Sequence, residues 1–101
     1  MASELDLATD YETVAASQTS QVLGPAGGIG DIIANMIINV TAVNATSVVT
    51  IQDGADSAIA LTTSTTPIGL YNLKLNMRSR SGAWKVTTLA TATVIAIGKF
   101  K

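Results

Sequence analysis

The fold is decided by residues 31–42, DIIANMIINVTA, which contain the most hydrophobic stretch of the chain. In a helix, one face would collect Ile32, Ile33, Met36, Ile37 and Val40. In a strand, one face would collect Ile32, Ala34, Met36, Ile38 and Val40, and the other Ile33, Asn35, Ile37, Asn39 and Thr41. Branched isoleucine side chains favour the pleated conformation, and asparagine is unfavourable inside a helix. We therefore interpret the stretch as a strand.

The rest of the chain repeats this short, alternating pattern. Residues 47–52 and 57–62 flank the turn sequence DGAD, which predicts a β-hairpin. Residues 71–78 place Tyr, Leu, Leu and Met on one face and polar side chains on the other. Residues 83–89 and 91–99 predict two further strands, and the last is apolar on both faces. About eight short strands at regular spacing indicate an all-β fold, a single small β-sandwich or jelly roll.

The length of 101 residues corresponds to one domain. We predict an N-terminal arm over residues 1–18 and the sandwich domain over residues 19–101. Thr9 and Glu12 have the spacing of a capping box, so a helical turn over residues 11–16, a strand and an extended arm all remain open for that segment.

The composition indicates that the chain assembles with copies of itself. Hydrophobic residues make up 48% of the sequence, but only four of its residues are aromatic, so the core lacks large anchors. Charged residues make up 13%, against about a quarter in an ordinary soluble domain. We expect part of the apolar surface to be buried between subunits.

The charges are separated along the chain. All six basic residues lie at or after Lys74, and four of the seven acids lie within the first twelve positions. We hypothesise that partner contacts involve residues of the arm and a basic group, namely Glu4, Leu5, Asp6, Leu7, Asp10, Tyr11 and Glu12 with Lys74, Arg78, Arg80 and Lys85. The basic group could also be a solvated loop or a weak nucleic-acid site, although it lacks interleaved aromatic residues.

The sequence offers no site for chemistry. It contains no histidine and no cysteine, the usual activating partners of a nucleophile. The glycine-rich run at residues 24–30 has no lysine and precedes a strand, so it predicts a connector and not a phosphate loop. Asp53 and Asp56 are too few for a calcium site and suit a turn. We therefore expect a non-enzymatic protein without catalytic residues, metal or cofactor.

Two further features bear on partners and location. Trp84 follows Gly82 closely and suits either a sugar-stacking platform or, more commonly, a core or interface position. The first residues are acidic and lack the apolar region of a signal peptide, and no stretch has the ~20 apolar residues of a membrane helix. We expect a protein made in the cytoplasm that binds neither membrane nor nucleic acid.

The order of features resembles the capsid decoration, or cement, proteins of tailed bacteriophages and related jelly-roll head proteins. The segments that carry the resemblance are GDIIANMIINV (30–40), VVTIQDG (48–54), IGLYNL (68–73), GAWKVTT (82–88) and TATVIAI (91–97). The resemblance implies homotrimers that sit on the virion surface and clamp neighbouring capsomers of the major capsid protein. The alternative is a fibre or lectin-like module that binds carbohydrate, with Trp84 and Tyr71 as stacking residues.

Overall fold

The computed structural model describes residues 10–24, 27–43, 48–63 and 65–100. These residues form eight strands and no helix, which confirms the predicted all-β sandwich. The strands are β1 Asp10–Val14, β2 Gln21–Val22, β3 Ile32–Val40, β4 Val49–Asp53, β5 Ile59–Ala60, β6 Gly69–Arg78, β7 Trp84–Thr88 and β8 Ala92–Lys99.

The strands form two four-stranded antiparallel sheets. Sheet A has the order β1-β8-β3-β6, and sheet B has the order β2-β7-β4-β5. The first strand pairs with the eighth, the second with the seventh, the third with the sixth and the fourth with the fifth. Apart from the β4–β5 hairpin, every connection crosses between the sheets. Strands β5 and β6 therefore border the same lateral side of the sandwich, and β1 and β2 border the other.

Alternating side chains of both sheets meet in one core. Sheet A contributes its central strands, with Met36, Ile38 and Val94 almost fully buried, and sheet B contributes Ile51 and Val86. The inward residues of β6 are only half-buried, because β6 is the edge strand of its sheet. The predicted alternation of residues 71–78 is confirmed.

The predicted facing of β3 is wrong at its start. Ile33 and Ala34 are both buried, and Ile32, which we placed on the inner face, is only half-buried. The register of β3 with β6 and with β8 shifts between Ile33 and Asn35, which marks β-bulges. A bulge reverses the alternation locally, so Ile33 and Ala34 are both buried although they are neighbours.

Residues 10–14, within the segment that we assigned to the N-terminal arm, form the edge strand β1 of sheet A. They pair with β8 from Asp10 opposite Gly98 to Val14 opposite Val94. Of the three alternatives for this segment, the strand is the one observed over residues 10–14. The remaining arm residues 1–9 lie outside the described part of the chain.

The predicted hairpin of residues 47–62 is present, and Asp53 ties its turn to the β6–β7 loop. Its carboxylate accepts backbone N–H groups from Arg80 at 2.8 Å, Ser81 at 3.1 Å and Gly82 at 3.3 Å. Asp56 accepts the Ser81 hydroxyl at 2.7 Å. The two aspartates lie in the turn, as the sequence indicated, and the turn is closed by the Asp56 backbone N–H on the Asp53 carbonyl at 2.9 Å. Their side chains, however, bind the β6–β7 loop and not the local backbone.

Asp53→Ala is expected to lower the free energy of unfolding by about 2 kcal/mol, because three backbone N–H groups lose a charged acceptor. Urea denaturation measures the change. Asp56→Ala is the matched control in the same turn, with an expected loss of at most about 0.5 kcal/mol because Asp56 is exposed. Equal losses in the two variants would contradict the assignment of the loop anchor to Asp53.

Candidate interaction surface

The outer face of sheet A is unusually apolar for an exposed surface. Its large apolar side chains are Tyr11, Ile32, Ile37, Leu70, Ile95 and Ile97. Tyr11 is 73% exposed, Leu70 72% and Ile95 36%. The outer face of a soluble sandwich ordinarily carries polar residues. We call this surface the apolar face.

Cross-strand register arranges these side chains as a diagonal stripe. Tyr11 lies opposite Ile97, and Ile95 lies opposite Ile37 on the next strand. Leu70 lies opposite Asn39 near the start of β6, at the other end of the stripe from Tyr11. The stripe thus crosses all four strands of sheet A, so residues distant in sequence form one continuous surface.

The apolar face is concave at one end. A groove of about 430 Å³ lies where β3 ends and where β6 and β8 begin. We call this end of the sandwich the groove end. The lining residues are Thr13, Ala15, Ile37, Asn39, Leu70, Thr93, Val94 and Ile95. Small and β-branched side chains dominate the lining, so the groove suits a protruding aliphatic side chain better than a charged ligand.

The four basic residues that we grouped from the sequence do not form one patch. Lys74 and Arg78 are exposed on the outward side of β6, whereas Lys85 is half-buried on the outward side of β7 in the opposite sheet. Arg80 lies in the β6–β7 loop, where its backbone N–H is bound by Asp53. The alternation of β6 and β7 could be read from the sequence, but which sheet each strand joins could not.

A fifth cation completes a basic end of the apolar face. Lys99 and Arg78 lie opposite the same residue, Ile32, from the two strands that flank β3. This basic end is opposite to the groove end. Sequence analysis did not include Lys99, because the pairing of β8 with β3 was unknown; the only indication was the outward position of Lys99 on an alternating strand.

The arm residues that we expected in partner contacts divide into three groups. Glu4, Leu5, Asp6 and Leu7 lie outside the described residues, and only the backbone of Asp10 is described. Tyr11 is exposed on the apolar face. Glu12 is half-buried and accepts hydrogen bonds from Gln21 Nε2 at 2.7 Å and from the Gly24 backbone at 2.8 Å. Glu12 therefore fastens β1 to β2 and the loop that follows.

Trp84 belongs to the core. It is 2% exposed, and its indole N–H donates to the backbone carbonyl of Asp31 at 3.1 Å. Tyr71 is half-buried, with its hydroxyl on the Pro67 carbonyl at 2.7 Å. Because the indole of Trp84 is enclosed, it cannot stack on a sugar in this conformation.

The described residues provide little else for chemistry. Within them, no three His, Cys, Asp or Glu side chains are grouped so as to hold a metal ion. The same residues include no helix long and apolar enough to cross a membrane. The glycine-rich connector enters β3 through Gly30, whose φ is 93°, a conformation that suits glycine. The apolar face is thus the feature of the described residues that most needs a functional explanation.

Comparisons of the chain with protein-family models, with curated proteins and with solved structures find no match. The function is therefore argued from the apolar face, the strand topology and the sequence pattern.

Proposed function

We propose that this protein is a capsid decoration, or cement, protein of a tailed bacteriophage. In this role it is a homotrimeric structural protein of the virion surface, made in the host cytoplasm, that binds between capsomers of the major capsid protein and stabilises the head. It acts without catalysis or cofactor and without nucleic acid or membrane as partner.

The observation that carries the proposal is the apolar face. An exposed stripe that crosses four strands is typical of a surface that another protein covers. A protein whose function is to bind other proteins in an assembly needs contact area and complementary charge. The residues that we describe supply both, in the stripe and in the basic end.

The strand topology supports the same role. The nested pairing of the first strand with the eighth, and so on inward, is the arrangement expected of an eight-stranded jelly roll. Double-sheet jelly rolls occur in viral capsid proteins and in lectins. Burial of Trp84 removes one of the two stacking residues of the lectin alternative, and the hydroxyl of the other, Tyr71, donates to the Pro67 carbonyl. The capsid role is therefore the better supported of the two.

The stabilisation follows from mass action. A protein that binds the assembled shell, and not its loosened form, stabilises the shell by its free energy of binding. Many symmetry-related copies turn a modest single contact into strong overall attachment. The acids of the arm, Glu4 and Asp6, would add an electrostatic contribution that weakens as salt screens it.

The test mixes the purified protein with expanded phage capsids that lack a decoration protein. We expect saturable binding with a fixed number of copies per shell, and an increased temperature of shell disassembly. The double variant Glu4→Lys/Asp6→Lys is expected to bind at least tenfold more weakly at low salt, because two acids of the arm are reversed. Absence of both binding and thermal stabilisation for the unaltered protein would refute the proposed function.

A further inference from the structure

We propose that the acidic segment, residues 4–7 (ELDL), binds across the basic end of the apolar face of its own chain. The occupant of that part of the face is thus a segment of the same molecule, and the contact is internal to one copy. The contact concerns the protein before a shell or any other partner binds, and it does not depend on the capsid role.

The charges of the basic end are not matched by the acidic side chains that the structure describes. Arg78 and Lys99 are exposed on the two strands that flank β3, and the chain contains seven acids. Four acids are held elsewhere by their contacts: Glu12 by Gln21 and Gly24, Asp31 by Gly28, Asp53 by the β6–β7 loop and Asp56 by Ser81. The other three are Glu4, Asp6 and Asp10. The acidic segment therefore contains two of the three acids that these contacts leave for the basic end.

The chain enters sheet A at this same end. β1 begins at Asp10, which lies opposite Gly98, the neighbour of Lys99. An extended chain covers about 3.5 Å per residue, so Glu4 reaches up to about 21 Å from Asp10. With strands about 4.8 Å apart, β6 lies about 14 Å from β1. The segment is therefore long enough to span the basic end from Lys99 to Arg78 of its own chain.

The leucines of the segment suit the apolar surface between the two cations. Leu5 and Leu7 alternate with the acids, so in an extended conformation the leucines take one side and the acids the other. Ile32 on β3 and Ile97 on β8 are half-buried and face outward there. Leucines packed on these isoleucines lose contact with water. Lysine and arginine side chains are long enough to extend past the segment to its carboxylates.

Tethering favours the chain's own segment over that of another copy. A short linker gives a local concentration in the millimolar range, well above that of separate molecules in dilute solution. Exposed ion pairs are individually weak and are screened by salt, so the contact is reversible. A partner that covers the whole apolar face must displace the segment, and the displaced acids are then available to that partner.

Disulfide formation tests the contact in the full-length chain, which has no cysteine of its own. The variant Leu5→Cys/Ile32→Cys places one thiol on the segment and one between the two cations. Leu5→Cys/Val22→Cys is the matched control, because Val22 is 39% exposed on β2 of the other sheet, beside Gln21, which binds Glu12 of β1. In a glutathione buffer the first variant is expected to form its disulfide at least tenfold faster than the control. Added salt is expected to reduce the difference.

Charge reversal in the Leu5→Cys/Ile32→Cys background tests the ionic part of the contact. Asp6→Lys and Lys99→Glu are each expected to slow disulfide formation about threefold. The double reversal Asp6→Lys/Lys99→Glu is expected to restore the rate, which a purely structural effect of either change would not do. Lys85→Glu is the matched control on the opposite sheet, and its rate is expected to be unchanged. Fluorescence of the buried Trp84 checks that each variant is folded.

Equal rates for the Ile32→Cys and Val22→Cys variants would overturn the inference. So would a disulfide that joins two copies into a covalent dimer on a non-reducing gel. Shell binding by a chain that fails the disulfide test would retain the capsid role and remove this contact, whereas the contact without shell affinity would do the reverse. The two proposals therefore fail separately.

Discussion

Ile38→Ala is expected to lower the free energy of unfolding by about 4 kcal/mol, near the upper end of the range for truncating a buried isoleucine. Ile38 lies in the middle of β3, with Tyr71 and Val94 as its cross-strand neighbours, and is fully buried. A central position between two paired strands leaves little freedom to collapse around the cavity. Domains of this size have total stabilities of about 5–15 kcal/mol, so the variant would be close to unfolding.

Equilibrium denaturation in urea, followed by the fluorescence of the single buried tryptophan Trp84, measures this loss. Ile37→Ala is the matched control, since Ile37 is the next residue and lies on the apolar face. At low protein concentration we expect Ile37→Ala to cost about 1 kcal/mol. Similar losses at the two positions would show that the assigned inner and outer faces of β3 are wrong.

Gly98→Ala is expected to cost about 3 kcal/mol, although it adds only a methyl group. Gly98 pairs with Ile33 where β3 bulges. A Cβ atom at position 98 would overlap the backbone carbonyl of Ile32, with the Cα atom of Ile33 also close. Backbone atoms in a paired strand cannot move aside as a flexible side chain can, so the β3–β8 pairing itself would have to distort.

The distortion is measured by thermal and urea denaturation and by amide hydrogen exchange along β3 and β8. Gly82→Ala is the matched control, because a Cβ there would come no closer than 3.1 Å, to the Gly54 Cα, and would not overlap a carbonyl. We expect it to cost less than about 1 kcal/mol. A Gly98→Ala variant as stable as Gly82→Ala would contradict the close approach of the two strands.

The sequence predicted the long strands well because each carries a full period-2 pattern. β3, β7, β8 and the β4–β5 hairpin fall within the stretches so interpreted, and β6 begins at Gly69, two residues before the predicted stretch 71–78. Strands β2 and β5 have two residues each, too few to establish a period. The bulge at Ile33 and Ala34 was missed because it depends on how β3 pairs with its neighbouring strands. The alternation of residues within one strand gives no information about that pairing.

The candidate interaction surface was predictable only in part. The apolar outward residues of β8 indicated that another surface packs on its outer face. Tyr11 was among the proposed contact residues. Leu70 and Lys99 were missed, because their importance comes from lying opposite Asn39 and Ile32. The basic group was predicted as one cluster, since Lys74 and Lys85 are close in sequence, yet the β6–β7 connection carries them to opposite faces.

The sequence by itself determined that this chain is an all-β domain with turn-forming aspartates, because side-chain alternation and turn chemistry act over a few neighbouring residues. Only the tertiary structure decided which strands pair, where β3 bulges and which outward side chains combine into the apolar face. Those features depend on contacts between residues far apart in the chain, and hydrogen-bond registry across four strands selects them collectively.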